Sequence, residues 1–412
     1  MMVVSVRDLQ SFFAGGTAAR IGKIAGIACC LASFMSPLAW GYDAIVKKET
    51  FPVDVFKTIN GREIKNVKVG YETYGTLSAN KDNVILLCHG SINNSHFAGK
   101  YNPSDPRPGI WDHVIGRGSI IDTDKYFVIA SDSLTNVFGD KNPNVITTGP
   151  ASMDPDRPGE RYGMRFPIVT IADFVNIQKL LLDSLGIRKL HAVIGYSMGG
   201  MQALEWAARY PDMVERAIPV VPQAEQGPYN IELKDVVMSA IQLDPNWNEG
   251  DYYGKTAPEA GLFVAYKAFK MTVTSYQPLE RKYGRAWADS NKNPAESMKN
   301  KFLVQADIDK EARAVAKAFD ANSWIYIAHA LNLFQTGHQY STRDGLVKIK
   351  AKVLFIPSKS DLLMFPEFSR TAYSAMKAMG KDVDLFELDG DGGHAEFVNI
   401  EKAATKLREF LN

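Results

Sequence analysis

Cysteine is scarce, with three thiols in 412 residues. That is too few for the disulfide scaffold of a small secreted domain. An excess of either charge is also missing: Lys and Arg total 47 against 46 Asp and Glu, a formal charge of +1. So even a balance carries no basic footprint for nucleic acid, and none is expected as a partner. No Cys-x-x-Cys, His-Glu-x-x-His or Gly-rich phosphate loop occurs in the chain. Neither a metal nor a nucleotide cofactor is therefore expected. The hydrophobic fraction of 46% and charged fraction of 23% are those of a globular chain, not a disordered or coiled-coil one.

The near-zero charge is unevenly spread. Residues 1–41 hold Arg7, Asp8, Arg20 and Lys23, a net +2, which leaves −1 on the remainder. After Lys23 comes an uncharged stretch, Ile24–Trp40, ending in small residues around Gly41. A basic start, an apolar middle and a small-residue end describe a secretory signal peptide, with cleavage expected between Gly41 and Tyr42. Retention as an anchor is the weaker reading. Seventeen uncharged residues interrupted by Pro37 barely span about 30 Å of hydrocarbon. The mature protein is thus expected in the periplasm or outside the cell, with no stable membrane insertion. Cys29 and Cys30 leave with the leader. Cys88, closing the apolar run Asn83–Cys88, is expected to pack as a small buried hydrophobe.

Along the rest of the chain, β-rich apolar runs alternate with helical patterns. Strands are expected at 66–74, 83–88, 126–130, 190–194, 216–221, 353–357 and 383–388. Helices are expected at 168–185, 198–210, 366–379 and 396–410. Uniformly apolar runs such as Val84–Cys88 suit central parallel strands covered on both faces. The alternation argues an α/β fold, a mostly parallel sheet with helices on both sides. Residues 222–349 break the rhythm. They are too long for a loop, rich in aromatics, and without a clear strand, so they are read as a helical lid. The domain reading is a leader over 1–41, a core from 42–221 and 350–412, and the lid between.

One turn carries most of the chemistry. Gly195-Tyr-Ser-Met-Gly199 follows an apolar strand and opens a helix, which is the setting of a nucleophile elbow. Flanking glycines let neighbouring backbone pass a strained serine. The helix N-terminus presents free N–H groups to an oxyanion. A serine needs a base, and the base an orienting acid, in the chain order Ser, Asp, His. Asp361 follows the strand candidate 353–357. His394 lies in a Gly-rich loop after the next strand. Ser197, Asp361 and His394 are therefore the expected catalytic residues. The other histidines, His89 among them, fit no template position. Asp389 and Asp391, nearer His394 in sequence, are read as shaping its loop. The oxyanion hole is expected from the N–H of Met198 and that of Gly90 or Ser91. Trp111, Phe263, Tyr266, Phe269 and Tyr276 are candidates to line an acyl pocket, with Trp111 and Tyr266 taken as substrate-binding.

Several ordered segments resemble one family. They are Tyr71-Glu-Thr-Tyr-Gly-Thr-Leu77, Asn83-Val-Ile-Leu-Leu-Cys-His89, Trp111-Asp112, Asp122–Ile129, Tyr162–Ile171, Ser197-Met-Gly-Gly-Met-Gln-Ala-Leu-Glu-Trp206 and Asp244–Gly254. Together they are similar to the homoserine O-acetyltransferases of the α/β-hydrolase superfamily, over nearly all of residues 50–412. The resemblance implies an α/β-hydrolase fold with a lid, the same three catalytic residues, acetylation of the serine by acetyl-CoA, transfer to homoserine, and pairing of subunits through lid helices. Two positions depart from it. A lid Arg that grips the homoserine carboxylate is matched, within Gly261–Tyr266, by Tyr266. The Asp that usually follows the catalytic His is replaced by Ala395, with Glu396 next. Losing a charge-assisted clamp removes roughly 1.5–3 kcal/mol. Lys267 and Glu396 are the nearest charged substitutes, yet a helix turns about 100° per residue. An exported enzyme also meets little acetyl-CoA. The expected function is hydrolysis of small carboxylic esters through an acyl-serine. O-acyl transfer from acetyl-CoA to an alcohol is the alternative, and a non-catalytic binding protein a remote third. Mass spectrometry of protein recovered from outside the cytoplasm should find Tyr42 at the N-terminus; a chain beginning at Met1 would refute the leader.

Overall fold

The computed structural model describes residues 41–338 and 341–412. The expected leader thus lies outside the described residues, save Gly41. Eight strands form one sheet: β1 (Glu49–Lys57), β2 (Glu63–Tyr74), β3 (Val84–Cys88), β4 (Phe127–Ser131), β5 (Ala192–Tyr196), β6 (Arg216–Val220), β7 (Lys352–Phe355) and β8 (Val383–Leu385). Their spatial order is β1-β2-β4-β3-β5-β6-β7-β8. The pairs β1/β2 and β2/β4 are antiparallel, and from β4 to β8 every pair is parallel. All five residues of β3 and all five of β5 are buried, as central strands covered on both faces require.

β1 had no place among the expected strands. Its sequence carries Pro52, which a central strand cannot accept. At the sheet edge a missing N–H is tolerated, and β1 pairs on one side only. The last expected helix, 396–410, also divides. Residues Gly393–Ala403 wind as 3-10 turns, Asn399 leaves helical geometry, and an α-helix resumes at Ala404–Leu411.

Helix α1 (Ile171–Ser184) begins with a capping box, Thr170 accepting from the Asp173 N–H and Asp173 from the Thr170 N–H. Helix α2 (Met198–Arg209) follows β5. Between β6 and β7 the chain forms α3 (Pro228–Gln242), α4 (Glu259–Val273), α5 (Tyr276–Tyr283), α6 (Leu303–Ala318), α7 (Ala321–Asn332) and α8 (Thr342–Lys348). Helix α4 packs between α3 and α6, and α3 also rests on α7. Helix α9 (Pro366–Ala378) joins β7 to β8, and α10 (Ala404–Leu411) ends the chain. Among the described residues no helix is long and apolar enough to cross a membrane.

The seam between α3 and the core is polar. Asn230 Nδ2 donates to the Leu363 carbonyl at 2.6 Å, and Gln223 Nε2 donates to Asn230 Oδ1 at 2.8 Å. Lys234 Nζ donates only to neutral acceptors, Gln226 Oε1 at 2.6 Å and the Asn230 carbonyl at 3.2 Å. Burial without a carboxylate pushes the Lys234 ammonium down to about 7. Free Lys titrates near 10.4, so between those pH values the unfolded chain binds the extra proton. Stability must then rise with pH across that window, the full penalty being present below it. Lys234→Met removes the penalty. Its advantage in melting temperature over the parent should be largest near pH 6 and shrink by pH 9; a pH-independent difference would contradict the burial argument.

Candidate active site

Ser197 joins β5 to α2 with φ 57° and ψ −122°. A non-glycine residue in such a conformation costs roughly 1–3 kcal/mol. The surrounding glycines explain how it persists. A methyl on Gly195 would overlap the Gly199 carbonyl, and one on Gly199 the Cys88 carbonyl at the end of β3. On Gly200 it would meet Pro222 at 3.0 Å. The Ser197 N–H donates to the Val220 carbonyl of β6 at 2.9 Å. The serine is thus held up at the carboxyl edge of the sheet between two strands. Cys88 lies beneath it, fully buried against Gln178, and burial pushes its thiol well above the usual range.

His394 and Asp361 reach the same point from neighbouring loops. His394 Nε2 is 2.8 Å from Ser197 Oγ, and His394 Nδ1 is 2.7 Å from Asp361 Oδ2. Asp361 Oδ1 accepts the N–H groups of Leu363 and Met364, each at 2.8 Å. With both oxygens engaged, the carboxylate fixes which imidazole nitrogen carries the proton. Ser197, His394 and Asp361 are 7, 4 and 1% exposed, so the relay is shielded but reachable at its serine end.

The rival groups are held elsewhere. His96 bonds Glu72, His113 bonds Glu401, and His191 bonds the Leu411 carbonyl. Asp389 pairs with Lys359, and Asp391 with Arg281 of the lid. The loop after β3 begins His89-Gly90-Ser91. His89 Nδ1 lies 2.8 Å from the Gly90 carbonyl, which also accepts the Asn93 N–H at 3.1 Å. In a trans peptide the next N–H points opposite to that carbonyl. The Ser91 N–H is therefore turned away from His89. Met198 is the first residue of α2, and its N–H has no acceptor within the helix.

A narrow cavity of about 20 Å³ stands over Ser197 and His394. Gly90, Ser91, Ile92, Asn93, Tyr196, Phe269, Val273, Ala395 and Phe397 line the rest of it. Of the five aromatics expected to line an acyl pocket, only Phe269 does. Trp111 lies behind the cavity wall, its ring against Tyr196 and its Nε1 donating to the Phe397 carbonyl at 3.1 Å. Tyr266 faces α6 instead, its hydroxyl 3.3 Å from Glu311 Oε2 beside Lys270. Phe263 sits under Lys267 and Arg313, and Tyr276 is exposed. Sequence alone could not separate Phe269 from these, because which face of a lid helix meets the core is set by its neighbours. Ile92, Val273 and Phe397 were not anticipated. Phe397 stands three residues after His394, a helical spacing that was the available signal. Two wider grooves of about 610 and 720 Å³ lie over residues 139–165 and contain none of Ser197, Asp361 and His394. Among the described residues no cluster of metal-binding side chains occurs.

Comparison with known proteins places the chain in context. Residues 83–397 match the family model for the alpha/beta hydrolase fold. The chain is 39% identical to the homoserine O-acetyltransferase of Deferribacter desulfuricans over 87% of this chain and 93% of that protein. It is 40% identical to that of Desulfotalea psychrophila, over 85% of this chain and 90% of the relative. Among solved structures, an esterase superposes with TM-score 0.85 at 42% identity, covering 89% of this chain and 100% of that one. The homoserine O-acetyltransferase of Bacillus anthracis superposes equally, TM-score 0.85 at 39% identity, over 90% of this chain and 98% of its own.

The glycine contacts generate a direct test. Gly199→Ala, which forces a methyl into the Cys88 carbonyl, should lower the melting temperature by several degrees and remove reaction at Ser197. Gly227→Ala, placed in open space, should do neither. Equal behaviour of the two would refute the packing account of the turn.

Proposed function

The chain belongs to the homoserine O-acetyltransferase group of the α/β-hydrolase family, and we propose that within this group it hydrolyses small carboxylic esters through an acyl-Ser197 intermediate. In this reading Ser197 Oγ attacks the ester carbonyl while His394 Nε2 takes the hydroxyl proton. The N–H groups of Met198 and Ser91 receive the developing oxyanion, Ser91 being preferred to Gly90 for the peptide orientation given above. The tetrahedral adduct collapses, the C–O bond to the alcohol breaks, and the alkoxide leaves with the proton from His394. A water then gives its proton to His394 and attacks the acyl-serine; the bond from the acyl carbon to Ser197 Oγ breaks, Oγ takes the proton back from His394, and the carboxylic acid leaves. Asp361 holds the imidazole and stabilises its charged form throughout.

The observation that carries hydrolysis over transfer is the absence of a charged acceptor grip at the site. No Asp, Glu, Lys or Arg lines the cavity. Tyr266, at the position matched to the family's carboxylate-gripping Arg, is turned toward Glu311. Ala395 follows His394 where an amine-binding Asp is expected. Glu396 is held by Gly392, Asn399 and Lys402. A zwitterionic amino-acid acceptor therefore has no counter-charge here, whereas water needs none. The 42% identical esterase is consistent with this reading. Acetyl transfer from acetyl-CoA to an alcohol is the second reading, supported by relatives of that printed activity at 39 and 40% identity. Neither reading calls for a cofactor held by the protein.

Export belongs to the same proposal. Tyr42 N lies 3.1 Å from Asp112 Oδ1, so the ammonium freed by cleavage after Gly41 would meet a carboxylate. Outside the cytoplasm acetyl-CoA is scarce and esters with water are the available pair.

The purified protein should release p-nitrophenol from p-nitrophenyl acetate. Ser197→Ala should cut that rate by at least ~10³-fold, and Asp361→Asn by about 10⁴-fold. With acetyl-CoA and homoserine supplied together, acetate should remain the main product. O-acetylhomoserine in excess of acetate would overturn hydrolysis in favour of the second reading.

A further inference from the structure

Glu396 is buried, 1% exposed, two residues beyond His394. A carboxylate so enclosed needs compensation, and its partners say what it serves. Oε2 accepts the Gly392 N–H at 2.8 Å. Oε1 accepts Asn399 Nδ2 at 3.1 Å and pairs with Lys402 Nζ at 2.5 Å. The glycines before His394 are moulded on the same carboxylate, since a methyl on either Gly390 or Gly392 would overlap it. Ala395 and Phe397 line the cavity over Ser197, and Glu396 between them does not.

The loop Gly390–Gly393 is also held from its other side. Ser360, next to Asp361, donates through Oγ to the Gly390 carbonyl at 2.7 Å and accepts the Gly393 N–H at 3.0 Å. The loop that delivers His394 thus lies between Ser360 and Glu396. We propose that Glu396 is a positioning residue for His394, its carboxylate serving as the internal mould that fixes the Gly390–Gly393 loop and so the imidazole between Ser197 and Asp361. This rests on the triad assignment above. It also says why a charged group stands so close to the site without contacting substrate: all its acceptor contacts run to the loop and to the turns behind it. Lys402 neutralises the carboxylate and also reaches the Asp389 carbonyl at 3.3 Å, closing the mould at the loop's start. A displacement of about 1 Å in a catalytic group costs on the order of 10²-fold in rate, so a loosened loop should act on turnover, not on binding.

The test is Glu396→Ala and Glu396→Gln in the full protein, with steady-state kinetics on p-nitrophenyl acetate, the rate of Ser197 labelling by a fluorophosphonate probe, and melting temperature. Glu396→Ala should lower kcat and the labelling rate by about 10–100-fold, with KM within about twofold. Glu396→Gln keeps an oxygen for the Gly392 N–H and should recover most of both. Should Glu396→Ala not fold, Glu396→Gln and Lys402→Met carry the test, the second expected to lower kcat at unchanged KM. A rise in KM at constant kcat would make Glu396 a substrate contact and overturn the proposal. So would unchanged kinetics, or a loss that Gln does not rescue and that only tracks the melting temperature. Wild-type labelling at Ser197 is the control: its failure overturns the triad itself, while normal labelling of Glu396→Ala overturns only the role of Glu396.

Discussion

The rest of the site depends on the close passage of three backbones at the β5–α2 turn. Ser197 sits at a positive φ, with Gly195 against Gly199 and Gly199 against the end of β3. No side chain fits between them. Because β3 and β5 are adjacent parallel strands, this contact sets the serine and the candidate oxyanion loop after β3 in one register. The strain is local, and the fully buried strands on either side are what hold it. Loosening any of the three backbones would let Ser197 relax toward an ordinary helix N-terminus and withdraw its hydroxyl.

The other two members of the Ser197–His394–Asp361 arrangement come from loops, and each loop is tied from more than one direction. Asp361 is fixed by N–H groups of its own turn, whose Leu363 carbonyl is bonded by Asn230 of lid helix α3. The His394 loop is held by Ser360 and Glu396, and from the lid by Ser275 and Arg281 through Asp391. Hydrogen bonds and an ion pair thus join the α3–α5 segment to the loops that carry Asp361 and His394. Charged residues near the site are engaged in building it, and no Asp, Glu, Lys or Arg lines the cavity. Glu396 with Lys402, and Asp391 with Arg281, are committed to one another in space.

Much of this is legible in the sequence. The apolar runs of β3 and β5, the Gly-x-Ser-x-Gly between strand and helix, and the order Ser197, Asp361, His394 are local patterns read directly off the chain. Edge strand β1 was not, because Pro52 argues against a strand unless its one-sided pairing is known. The division of the last helix at Asn399 was hidden for a similar reason, since the 3-10 turns follow from loop geometry and not from periodicity. Trp111 and Tyr266 were assigned to substrate from their type and neighbourhood, and both turn elsewhere. An aromatic's identity does not say which way a lid helix is rotated.

By itself, then, the sequence determined which residues to look for together: the serine turn, the aspartate and the histidine are specified by residue type, chain order and the glycines a strained turn demands. It also determined the alternation of strand and helix, because burial on two faces leaves a continuous apolar run. Tertiary structure decided what surrounds that chemistry. Whether Tyr266 and Trp111 touch a substrate or the protein depends on contacts between distant segments, 45 positions apart for Tyr266 and Glu311 and 286 for Trp111 and Phe397. Such contacts arise when segments far apart in the chain pack together, and no short-range pattern encodes them.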